Sequence, residues 1–109
     1  MGIVMERGEV RWYKFKPPDK ERPVVVLTRD SAIQVLGEII VAPITSTIRG
    51  IPTEVLLDER DGMKTACAIN LDHVQTVAKG KLGALIGKLS EEKMRQIRAA
   101  LFFACGFDD

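Results

Sequence analysis

The sequence is short of the residues on which much enzyme chemistry relies. Its 109 residues include one histidine, His73, so a mechanism that passes protons between two imidazoles is excluded. Two cysteines, Cys67 and Cys105, are too few for a disulfide framework and have no metal-ligand spacing. Both are expected to be small buried apolar residues with free thiols in a reducing compartment. No apolar run reaches the ~18–20 residues of a membrane span. The opening Met1-Gly2-Ile3-Val4-Met5-Glu6-Arg7 lacks the charged lead and apolar stretch of a secretory leader. The expected location is therefore the cytoplasm, with no membrane partner. Gly-rich phosphate loops, zinc spacings and nucleophile elbows are absent too. Charge of one sign is also lacking, since 16 Lys and Arg face 15 Asp and Glu for a net +1. Bulk attraction to a polyanion is thereby excluded, and a nucleic acid would have to be met by a local basic patch.

What is present is an ordinary globular composition, 46% apolar and 28% charged, expected to form a single domain over residues 1–109. A chain of this size buries a modest core, so support from an oligomer interface fits. The first two-thirds reads as β. Glu9–Lys16 alternates, placing Val10, Trp12 and Lys14 on one face and Arg11, Tyr13 and Phe15 on the other. Lys16-Pro17-Pro18-Asp19-Lys20-Glu21 is an exposed loop, because two prolines and four charges cannot enter a sheet interior. Pro23–Thr28 is a β-branched run of the kind buried on both faces. Arg29–Ala32 predicts a turn leading into one helical turn through Leu36. Further strands are predicted at Glu38–Thr45, Thr53–Leu57, Thr65–Ile69, Val74–Val77 and within Lys81–Gly87. Pro43 implies an edge or a bulge.

The chain ends in a helix. Ser90 is a suitable N-cap, Glu91 and Glu92 suit the positive end of the helix dipole, and Gly106 is placed to stop it. Met94, Ile97, Leu101 and Ala104 form its predicted apolar stripe. Six or seven short strands closed by one helix predict a mainly β, α+β fold, a small barrel rather than an open parallel sheet.

Two polar groups stand at strand ends. Lys20 and Arg22 flank the start of the buried strand, where the planar fork of Arg22 could take a phosphate bidentately. Thr45, Ser46, Thr47 and Arg49 stand at the end of another. On the residues alone, the plainer reading is a solvated strand-end arginine and a hydroxyl cluster that caps a turn. Trp12, Tyr13 and Phe15 could stack bases, although Trp12 is expected in the core or in a dimer interface. Lys14, Lys16, Lys20, Arg29 and Arg49 could form a basic track. Phe102, Phe103 and Phe107 exceed the needs of one helix stripe and are expected to help bury a dimer interface.

Five segments, in order and at matching spacing, carry a resemblance to the MazF/PemK family of toxin endoribonucleases. They are Arg7-Gly8-Glu9-Val10, Glu21-Arg22-Pro23-Val24-Val25-Val26-Leu27-Thr28, Ala42-Pro43-Ile44-Thr45-Ser46-Thr47, Asn70-Leu71-Asp72-His73-Val74-Gln75-Thr76-Val77, and Ile86-Gly87-Lys88-Leu89-Ser90. The resemblance implies an SH3-like β-barrel with a C-terminal helix, assembled as a homodimer. It implies ribosome-independent, sequence-selective cleavage of single-stranded RNA without metal or cofactor, and inhibition by a cognate antitoxin. Arg22 falls on the family's active-site arginine and Thr45 on its threonine. Lys20, Ser46, Arg49 and His73 are the expected RNA contacts, His73 standing where many relatives carry Gln or Asn. The loop before Arg22 is shorter than in many relatives, which leaves Asp19 or Glu21 as the nearby acidic residue. Two rivals share the fold: a gyrase poison of the related CcdB type and a non-catalytic SH3-like module. The former acts through a tail ending Trp-Gly-Ile, whereas this chain ends Gly106-Phe107-Asp108-Asp109.

Overall fold

The computed structural model describes residues 4–18 and 20–107. Asp19, expected near Arg22, lies outside the described residues, as do the first three and last two residues. The strands are β1 (Glu9–Lys14), β2 (Glu21–Val26), β3 (Glu38–Thr45), β4 (Glu54–Leu57), β5 (Cys67–Asn70), β6 (Gln75–Ala78) and β7 (Leu85–Lys88). A one-turn helix, α1 (Asp30–Ile33), follows β2, and α2 (Glu91–Cys105) closes the chain. The seven strands follow the order β4-β5-β3-β2-β1-β7, with β6 also paired to β3, and curl into a half-barrel capped by α2. This is the fold class expected from the strand spacing. No helix among the described residues is long and apolar enough to cross a membrane.

β3 is the hub of the sheet. One side pairs with β2 through Val24↔Pro43, Val25↔Ala42 and Val26↔Val41. The other side pairs first with β6, through Val41, and then with β5, from Ile44 onward. Pro43 therefore lies in a central strand, not at an edge. It sits where the second partner changes, so the missing N–H falls at a break in the ladder.

The β-branched run behaves as its composition dictates. Val24, Val25 and Val26 are all fully buried, because the sheet carries core on both faces. Val25 joins Val10, Ile44, Leu57, Ile69 and Ile97 beneath α2. Val24 and Val26 join Ile33, Ile39 and Val41 on the opposite face, with Tyr13 and Phe15 packed against them. Trp12, expected in the core or a dimer interface, is half-buried and belongs to neither cluster.

α2 is capped as predicted. The Ser90 hydroxyl accepts from the Lys93 N–H at 3.2 Å, and Gly106 closes the helix with φ 76°. The buried contact runs through Ile97 and Ala100, with Met94 and Leu101 packed at its margin. The stripe thus turns onto Ala100, whose small side chain permits a close approach to the sheet. Cys67 is buried, and that burial pushes its thiol pKa up. Cys105 is exposed, contrary to expectation, because the last turn of α2 presents it to solvent.

The segment predicted as a strand over Lys81–Gly87 is a 3-10 turn at Lys79–Lys81 followed by β7. Gly83 lies so close to β1 that an added Cβ would meet the Trp12 carbonyl oxygen at 3.3 Å, and its N–H donates to that oxygen at 2.7 Å. Arg11, buried beside it, donates through Nη1 to the Gly83 carbonyl at 3.1 Å and through Nε to Glu9 Oε1 at 2.8 Å.

Candidate active site

The pairing of β2 with β3 decides which polar side chains meet. Continuing the Val24↔Pro43 register two residues outward sets Arg22 opposite Thr45. β1 pairs with the other side of β2, placing Tyr13 opposite Arg22, and Tyr13 holds the Phe15 ring edge-on at 4.8 Å. Arg22, Thr45, Arg49 and His73 line one cleft of about 390 Å³, with Phe15 as its aromatic wall. Two arginines, a hydroxyl and the single imidazole thus converge from β2, β3, the loop after β3 and the turn after β5. Among the described residues Arg22 and Arg49 form no ion pair, so both guanidinium forks are available to an anion.

Each side chain is held by local structure. Thr45 Oγ1 accepts from the Thr47 N–H at 3.1 Å; with the oxygen so engaged, the hydroxyl proton is free to be donated. The loop carrying Arg49 is tied to the sheet by Glu54, whose Oε1 accepts from the Arg49 N–H at 3.0 Å and the Gly50 N–H at 2.9 Å. His73 ends a 3-10 turn over Leu71–His73, which Asn70 caps by accepting from the Asp72 N–H at 3.0 Å. The Thr53 hydroxyl donates to Asp72 Oδ2 at 2.6 Å, and the Leu71 N–H donates to the Thr53 carbonyl. The turn is therefore pinned on two sides, and the imidazole stands exposed in the cleft.

The other expected contacts fall elsewhere. Lys20 is exposed immediately before β2 and does not line the cleft. Ser46 lines a second cleft, on the far side of Thr45, together with Trp12. Arg29 lies beside Leu36 and Glu38 at the opposite end of β3. Sequence reasoning missed Glu54, Asn70 and Gln75, which complete the cleft wall. Glu54 could have been suspected: a carboxylate four residues after Gly50 is well placed to accept the N–H groups of the preceding turn. Asn70 and Gln75 carry no such signal. Among the described residues no three His, Cys, Asp or Glu side chains gather as a metal site requires.

A family model described as PemK-like, MazF-like toxin of type II toxin-antitoxin system matches residues 6–103. A Mycobacterium tuberculosis protein named probable endoribonuclease MazF5 is 44% identical over 102 residues, covering 93% of either chain. Endoribonuclease MazF3 of the same organism is 42% identical over 71 residues, 65% of this chain and 69% of its own. The solved structure of M. tuberculosis toxin MazF-mt6 superposes with a TM-score of 0.85 at 33% identity, covering 93% of this chain and 99% of the other. With a match spanning nearly the whole sequence and a shared fold, this chain belongs to the PemK/MazF family of type II toxin-antitoxin toxins.

Proposed function

We propose that this chain is a sequence-selective endoribonuclease that cuts single-stranded RNA independently of the ribosome and is restrained by a cognate antitoxin. The observation that carries the reading is the meeting of Arg22 and Thr45 across β2 and β3, in a cleft that also holds Arg49 and His73. In the reaction, the ribose 2′-OH attacks the adjacent phosphorus. The O2′–P bond forms, the P–O5′ bond breaks, and the products are a 2′,3′-cyclic phosphate and a 5′-OH. The 2′-OH proton is lost and O5′ gains one. The protein must align the phosphate and stabilise the charge that builds on its non-bridging oxygens. Arg22 supplies two parallel donors to that phosphate and Thr45 a neutral third. Such preorganised donors are each worth roughly 10²–10³ in rate. Arg49 holds the neighbouring backbone, and His73 brings the chain's single imidazole to the cleft as its proton-transfer group.

The names of the matched relatives, endoribonuclease MazF5 and MazF3, support the activity. A homodimer is supported by exposed apolar side chains on β4 and α2, Leu56, Phe102 and Phe103. The setting is the cytoplasm, where single-stranded RNA and an antitoxin would both be met. A bare interaction module would have no use for two arginines, unpaired among the described residues, converging on a hydroxyl. The test is to incubate the purified protein with a long single-stranded RNA in EDTA and map the ends. Cleavage leaving cyclic phosphate and 5′-OH termini is expected. An intact RNA, or cleavage that needs added metal, overturns the reading.

A further inference from the structure

Arg22 and Pro23 are successive residues of β2, so they face opposite sides of the sheet. Arg22 faces the catalytic cleft, while Pro23 pairs with Trp12 and faces the second cleft. That second cleft has a volume of about 480 Å³ and shares Ile44 and Thr45 with the first. The two clefts therefore adjoin at the end of β3, with Thr45 between them.

The second cleft has the makeup of a nucleobase subsite. Its walls are apolar and aromatic, from Trp12, Pro23, Met63 and Leu85. Leu85 is 54% exposed although it belongs to a strand. Ser46, Thr65 and Lys64 add two hydroxyls and one cation at the rim, all exposed. A π-face beside polar groups and a cation is what single-stranded RNA recognition uses: a splayed base stacks, its edges are read, and the next phosphate meets the lysine. The backbone of Trp12 is fixed on both sides. Its carbonyl accepts from the Gly83 N–H, its N–H donates to the Ala84 carbonyl at 3.2 Å, and buried Arg11 anchors the same segment through the Gly83 carbonyl.

We propose that Trp12 and Lys64 form a subsite for a base flanking the scissile phosphate, so that the RNA bends over Thr45 and is read on both sides of β3. The inference rests on the nuclease reading above. Its consequence is that selectivity for the nucleotide beside the cut resides in the Trp12 cleft, away from Arg22.

Trp12 is the single tryptophan of the chain, so its emission reports on this cleft alone. The probe is an oligonucleotide spanning a site that the wild-type protein cuts in a long RNA. A 2′-deoxy sugar replaces the attacking nucleotide, so the strand binds without being cut. Saturable quenching of Trp12 emission is expected, lost when one of the two bases flanking the uncut phosphate is replaced by an abasic residue. Binding seen by anisotropy of a labelled strand with no change in Trp12 emission would overturn the subsite. So would quenching that survives removal of either flanking base in turn. A response of Trp12 to dilution of the protein or to an antitoxin, with none to RNA, would assign the cleft to a protein contact instead. If the long RNA is not cut at all, the nuclease reading fails first and the subsite with it. In parallel, Trp12→Ala should lower cleavage at that site by roughly ten-fold or more, the scale of losing one stacked base. Trp12→Phe, which keeps a stacking face, should stay within a few-fold of wild type.

Discussion

The buried pair Glu9–Arg11 allows a demanding test of how the β1–β7 edge, and with it the Trp12 cleft, is held. Both side chains are more than nine-tenths buried and meet at 2.8 Å, and Arg11 also spends a donor on the Gly83 carbonyl. Removing one member of such a pair strands an uncompensated charge, at a cost of about 3–5 kcal/mol. Glu9→Leu leaves the guanidinium with the Gly83 carbonyl alone and should fall within that range. Arg11→Met should cost less, because Glu9 lies opposite Lys88 in the β1–β7 ladder and keeps a cation nearby. The double variant removes both charges and replaces them with apolar volume, so it should return to within about 1 kcal/mol of wild type. Urea unfolding at a fixed protein concentration, followed by circular dichroism and Trp12 emission, reads these values. With a slope of about 2 kcal/mol per molar, a loss of 3 kcal/mol lowers the midpoint by about 1.5 M. The concentration is fixed because an oligomer's midpoint moves with it. A Glu9→Leu cost below about 1 kcal/mol would refute the account. Additive losses in the double variant would do the same, since additivity means that the two side chains do not interact.

Three other outcomes follow from the site. Arg22→Lys should lower kcat/KM by about 10²-fold or more despite keeping the charge, because an ammonium cannot supply two parallel donors; cleavage within a few-fold of wild type would contradict the bidentate role. Glu54→Gln should weaken the hold on the Arg49 and Gly50 N–H groups and raise KM more than it lowers kcat, measured on the same RNA. His73→Gln should lower kcat by about 10²-fold on the same RNA, the scale of losing a positioned proton-transfer group, and an unchanged kcat would remove the imidazole from the proton transfers. Separately, a thiol reagent should label Cys105 quickly and Cys67 only on unfolding, since Cys67 is buried with its thiol pKa raised; mass spectrometry of partly labelled protein distinguishes the two.

The sequence alone determined what local chemistry dictates. The β-branched run at Val24–Val26 could be stable only with both faces covered, so its burial was legible, as were the Ser90 cap and the Gly106 stop of the last helix. Arg22 and Thr45 stood out as strand-end residues, but nothing in a linear chain says that two strand ends coincide. Tertiary structure decided that, through the β2–β3 register. Pro43 looked like an edge marker because proline cannot donate to a ladder; only the switch of partner from β6 to β5 shows how a central strand accommodates it. Glu54 and Asn70 joined the cleft through contacts to loop N–H groups, and Ser46 left it because one step along a strand end reverses the face. Trp12 shows the same limit. Alternation placed it on the Val10 face, yet whether that face ends in core or in an open cleft depends on how far β7 and the Gly62–Thr65 turn extend past it.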